Sequence, residues 1–139
     1  MKIILKNVDM IHPEDKINLK GVSVLLNGGI ISKIGELSSE EIKEAREFDF
    51  SGKLLVPGLF DMHVHLREPG REDEETVVSG CASAAEGGFT GVACMPNTEP
   101  ATDTAEIVKF IKEQASNNLV DVYPVAAASL GRKGEIISP

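Results

Sequence analysis

Two hydrophobic rhythms run along this chain, and they change over near Lys53. Before that point the apolar residues come in short runs separated by turn residues. Val22–Leu26 predicts a strand, Asn27-Gly28-Gly29 a turn, and Ile30–Ile34 the returning strand. Asn-Gly between apolar runs favours a tight hairpin, because the central residues of such a turn take positive φ. Ser38–Glu47 is polar and charged and suits a short helix or a loop. Residues 1–52 are expected to form a small β unit.

From Lys53 the pattern alternates between strand and helix. Leu54–Leu66 reads as a strand with an irregular start at Pro57-Gly58, ended by Pro69-Gly70. Glu74–Glu86 sets Val77, Val78, Cys81, Ala84 and Ala85 at helical spacing, with Gly87-Gly88 as the stop. Phe89–Met95 predicts a second strand, closed by Pro96. Asp103-Thr104-Ala105-Glu106 has the form of a capping box, with Asp103 at the N-cap and Glu106 at N3. It opens a helix that would bury Ile107, Phe110, Ile111 and Ala115, and Val120–Ala127 follows as a third strand. Strand, helix, strand, helix, strand implies an α/β fold with a parallel sheet and right-handed crossovers. A closed (β/α)8 barrel takes about 250 residues. The 139 residues here fit either a small open α/β protein or the front of a barrel.

Composition narrows the function classes. Hydrophobic residues make up 42% and charged residues 26%, an ordinary globular balance. The formal net charge of −8, from 14 basic and 22 acidic residues, argues against a nucleic-acid or anionic-membrane surface. Lys6 breaks the first apolar run too early for a signal peptide, and no stretch has the length of a transmembrane helix. A cytoplasmic chain is expected, with Cys81 and Cys94 reduced and packed.

The chemistry is concentrated in Asp61-Met62-His63-Val64-His65-Leu66-Arg67-Glu68-Pro69-Gly70. Strict strand alternation would put Asp61, His63, His65 and Arg67 on one face and pack Met62, Val64 and Leu66 under the helices. Two imidazoles two residues apart lie about 7 Å apart at Cα and can converge on one ion. Asp61 could orient a ring, and Arg67 offers a planar fork to a carboxylate. A lone His on an apolar strand is usually a packed residue. A pair flanked by Asp and Arg and followed by Pro-Gly is harder to read that way. Asn97, just past the second strand, would open onto the same mouth as Arg67. Ser129–Gly134 reads as a basic surface loop and His12 as a surface residue. Ser79 and Ser83 have no His partner nearby in the sequence, so a serine nucleophile has no support.

Taken together, Pro57-Gly58-Leu59-Phe60-Asp61-Met62-His63-Val64-His65-Leu66-Arg67-Glu68-Pro69-Gly70 resembles the signature of type I dihydroorotases in the amidohydrolase superfamily. Gly87–Thr90, Met95–Thr98 and Gly131–Glu135 resemble further blocks of that family, over essentially the whole chain. The resemblance implies the first strands and helices of a TIM-type barrel (residues 53–139) preceded by part of a small β-sandwich (residues 1–52). It implies reversible cyclisation of N-carbamoyl-L-aspartate to L-dihydroorotate, with one or two Zn2+ ions. His63 and His65 would be zinc ligands; His65, Leu66, Arg67 and Asn97 would touch substrate; Asp61 would support a ligand ring. The bridging residue, two further His and the general-base Asp are expected downstream, so no catalytic residue is expected within this chain. The implied partners are the remainder of the same enzyme, a homo-oligomer or an aspartate carbamoyltransferase. Allantoinases and dihydropyrimidinases are the competing enzymes, though Arg67 and Asn97 favour dihydroorotase. A non-catalytic dihydroorotase-like scaffold is the other alternative, and the retained His63 and His65 weigh against it.

Overall fold

A computed structural model describes all 139 residues, which pack as two units, Met1–Pro57 and Gly58–Pro139. The first is a five-stranded mixed sheet. Its strands are β1 (Lys2–His12), β2 (Ile17–Asn27), β3 (Ile30–Ile34), β4 (Ala45–Asp49) and β5 (Leu54–Leu55). The hairpin β2–β3 turns through Gly28 and Gly29 at φ 60° and 84°, the conformation that makes glycine useful there. Helix α1 (Ser39–Ile42) is one turn long and joins β3 to β4. Val8, Met10 and Val24 form the core of this unit. Because β5 pairs with β1, the boundary falls after Pro57 rather than at Lys53.

The second unit is a parallel sheet in the order β6 (Leu59–Val64), β7 (Phe89–Cys94), β8 (Asp121–Pro124). Helices α2 (Val77–Glu86) and α3 (Ala105–Ala115) make the two crossovers. Their shared core holds Leu66, Val77, Cys81, Val92, Cys94, Ile111, Val120 and Val122. Burying each large aliphatic side chain there contributes about 1.5–3 kcal/mol. Val78 lies on the exposed side of α2. Lys112 reaches from α3 to β8, an edge strand, where its Nζ donates to the Val122 carbonyl at 3.0 Å and sits 5.2 Å from the Tyr123 ring centroid.

The capping differs from the sequence expectation. The N-cap of α3 is Thr104, without a side-chain cap, and Asp103 instead accepts from the Gly131 amide at 2.5 Å. Its carboxylate is engaged in tying two loops together. Capping boxes close α1, through Ser38 and Glu41, and α2, through Thr76 and Ser79. No helix is long and apolar enough to cross a membrane.

Candidate metal and substrate site

Strand β6 does not keep strict alternation. Asp61 pairs with Val92 and Val64 with Cys94, so Met62 and His63 together stand opposite Ala93. Two residues facing one is a bulge, and it resets which side chains point where. Val64 stays with the helices. Asp61 joins that side too, lining a cavity of about 230 Å³ with Leu66, Glu75, Gly80 and Ser83. Met62 is 78% exposed, so the expected packing of Met62 beneath the helices is overturned. The strand ends at Val64, which leaves His65, Leu66 and Arg67 on the following loop.

The bulge nonetheless brings the two imidazoles together. The ring centroids of His63 and His65 are 5.3 Å apart, edge to face. Asp61 is not on a ring: its Oδ1 accepts from the His63 backbone N–H at 2.9 Å, which pins the bulge. His65 Nδ1 lies 2.7 Å from Asn97 Oδ1. A carbonyl oxygen only accepts, so Nδ1 carries the proton and Nε2 keeps its lone pair. That is the state a metal-ligating His takes when its other nitrogen is held by an oxygen acceptor. The Asn97 amide nitrogen remains a donor for a second group.

The expected residues separate into those the fold gathers at this mouth and those it withdraws. His63, His65 and Asn97 are gathered. Leu66 is withdrawn, because its side chain is 6% exposed and belongs to the core beneath α2. A Cβ at Gly80 would lie 2.4 Å from Leu66 Cδ2, so a larger residue there would force the leucine or the helix to shift. Arg67 adopts φ +61°, an uncommon backbone for a residue with a side chain. Its Nε is 3.3 Å from Glu74 Oε2, and Glu74 Oε1 is 2.5 Å from the Arg71 guanidinium. Glu74 carries no sequence signal that distinguishes it from the acidic residues around it.

The three loops past the strands are tied to one another. The Glu99 amide donates to the Pro69 carbonyl at 2.9 Å, and the Ala127 amide to the Thr102 carbonyl at 2.7 Å. Cys81 and Cys94 are buried and unpaired. Burial pushes both thiols up, Cys94 to about 11, which disfavours the thiolate a metal would need. No third His, Cys, Asp or Glu joins His63 and His65 to complete a cluster. The pair fits two positions of a zinc site, whereas a catalytic zinc normally has three protein ligands.

The arrangement of one imidazole at the end of a parallel strand and the next just past it, with helices crossing one face of the sheet, sits on a fold that solved structures share. The L-hydantoinase (dihydropyrimidinase) of Arthrobacter aurescens aligns with 91% of this chain and 28% of its own, at TM-score 0.75 and 26% identity. The dihydropyrimidinase of Brevibacillus agri has the same fold, at TM-score 0.73 and 23% identity over 93% of this chain and 28% of its own. Residues 52–138 match the family described as dihydro-orotase-like, and the chain belongs to that family. The dihydroorotase of Syntrophus aciditrophicus is 45% identical over 99% of this chain and 32% of its own length. That of Pelotomaculum thermopropionicum is 46% identical over 97% and 31%. The chain therefore spans about a third of the length of the curated relatives it matches.

Proposed function

We propose that this chain is the N-terminal part of a zinc-dependent dihydroorotase, comprising part of a small β-sandwich and the first strands and helices of a TIM-type barrel. The observation that carries the reading is the His63–His65 pair, turned together and steadied by Asn97 at 2.7 Å, in a chain whose relatives bear that name. His63 and His65 would hold zinc, with the remaining ligands supplied by the rest of the enzyme. Zinc in such a site supplies Lewis-acid polarisation of an amide carbonyl.

The chain's own residues bind and orient. Glu74 occupies Arg67 Nε and leaves the terminal guanidinium nitrogens for the substrate carboxylate of N-carbamoyl-L-aspartate or L-dihydroorotate. Asn97 presents its amide nitrogen to the same group while its oxygen holds His65. Contact from Leu66 would come from backbone, since its side chain is buried. A hydantoinase or dihydropyrimidinase specificity is the second reading, favoured by the fold match at 26% identity.

A chimera decides between them. This chain replaces the matching third of the Syntrophus aciditrophicus dihydroorotase and is assayed with L-dihydroorotate, hydantoin and dihydrouracil. Turnover of dihydroorotate alone is expected. His63→Ala and His65→Ala should each cost more than about 100-fold, since even residues that only support a ligand cost about 10–100-fold. Preference for hydantoin or dihydrouracil would overturn the dihydroorotase reading. The 139-residue chain alone is expected to show no turnover.

A further inference from the structure

The block Met95–Thr98 contributes Asn97 to the site, but its last residue has a separate part to play. Thr98 is 8% exposed and Thr102 is 1% exposed, the two polar residues of the chain that are buried as whole residues. Thr98 Oγ1 lies 2.7 Å from the Pro100 carbonyl and 2.9 Å from Thr102 Oγ1. A carbonyl oxygen cannot donate, so the single proton of Thr98 goes to Pro100. The Thr98 oxygen can then only accept from Thr102. The direction of the chain is thereby fixed: Thr102 hydroxyl to Thr98 hydroxyl to Pro100 carbonyl. The Thr102 amide also donates to the Pro96 carbonyl at 3.2 Å, closing the loop from Pro96 to Thr102 around Asn97.

Removing either hydroxyl leaves a buried group without its partner, at a site too enclosed for water to replace it readily. The residue next to this relay is the one that touches His65. Asn97 Oδ1 on His65 Nδ1 selects the Nδ1–H tautomer, whereas neutral imidazole in water favours the proton on Nε2. The loop therefore has to hold Asn97 in place against the intrinsic preference of the ring. We propose that Thr98 and Thr102 are positioning residues that, through Asn97, keep His65 in the tautomer that carries its proton on Nδ1 and leaves Nε2 bare. The value of that tautomer to a metal rests on the dihydroorotase reading above; the tautomer itself does not.

The test is made on the 139-residue chain without metal, at a pH where the imidazoles are neutral, by 15N NMR of the histidine rings. The unmodified chain should show His65 protonated at Nδ1 and bare at Nε2. Thr102→Val should exchange the two nitrogens' shift classes toward the aqueous tautomer, while backbone resonances of the sheet stay put. Thr102→Ser should restore the original pattern, which a general loss of packing would not do. Thr98→Ala interrupts the relay at its middle and serves if the valine variant does not fold. An unchanged His65 pattern in either folded variant overturns the proposal. So does an unmodified chain with Nε2 protonated. Failure of the chimera to act on dihydroorotate, with the tautomer pattern intact, would sink the proposed function and leave this inference standing.

Discussion

Glu41 serves several donors with one carboxylate. It accepts from the Ser38 backbone N–H at 2.7 Å and from Lys33 Nζ at 3.0 and 2.9 Å, while Ser38 Oγ accepts from its amide at 3.3 Å. The Ser38 amide first, and then Lys33, lower its pKa from the ordinary 4.5 to about 2. A carboxyl with a depressed pKa in the fold stabilises above its unfolded value, and that stability is lost as the pH falls through the folded value. Thermal stability should therefore drop as the pH falls from about 4.5 toward about 2. Glu41→Gln should melt lower at neutral pH and show less of this decline. A melting gap between the two proteins that stays constant down to acid pH would refute the assignment. At the same scale, sequence reading singled out His63, His65 and Asn97 by their chemical identities, and the fold brings those three side chains together. It misplaced Met62 and Asp61, because a bulge adds a residue without altering the hydrophobic pattern.

At the scale of elements, the β2–β3 hairpin, the crossover helices and strands β7 and β8 were legible from alternating apolar runs and Gly or Pro stops, but the expected single strand Leu54–Leu66 divides into β5 on the first sheet and β6 on the second, and β1 and β4 carried no strand expectation of their own. The cap of α3 was not legible, since Asp103 is equally suited to a helix start and to the loop bond it makes with Gly131. The fit between α2 and the loop after β6 was hidden for a similar reason: a helical glycine gives no hint of what rests on it. Gly80→Ala sets two effects against each other. Helix propensity favours alanine by up to about 1 kcal/mol. Overpacking costs about 1–3 kcal/mol, and the added Cβ would come within 2.4 Å of the buried Leu66. Overpacking should win, with a net loss of about 1–2 kcal/mol in urea unfolding. A variant more stable than the original would show that Leu66 can move aside.

At the scale of the whole molecule, the second unit covers only one face of its sheet. Phe60, Met62 and Tyr123 lie exposed, with the Phe60 and Tyr123 rings 5.5 Å apart between centroids. Apolar groups gathered on an open sheet face promote association. Sedimentation should show weight-average mass rising with concentration, and Met62→Lys should suppress the rise without lowering the melting temperature. A monomer at all concentrations would contradict this. The sheet's edge behaves differently from its face. The Val122 carbonyl already has a partner in Lys112, and Pro124 has no N–H to offer. Lengthening the sheet at β8 is thus an exchange reaction and not a simple addition. An arriving strand has to bring its own amide to Val122 and send the ammonium back to water, where the freed arm regains roughly 1.5–2 kcal/mol of rotamer entropy. A stray segment offering one hydrogen bond gains little by that trade, while a strand arriving with a full ladder completes it.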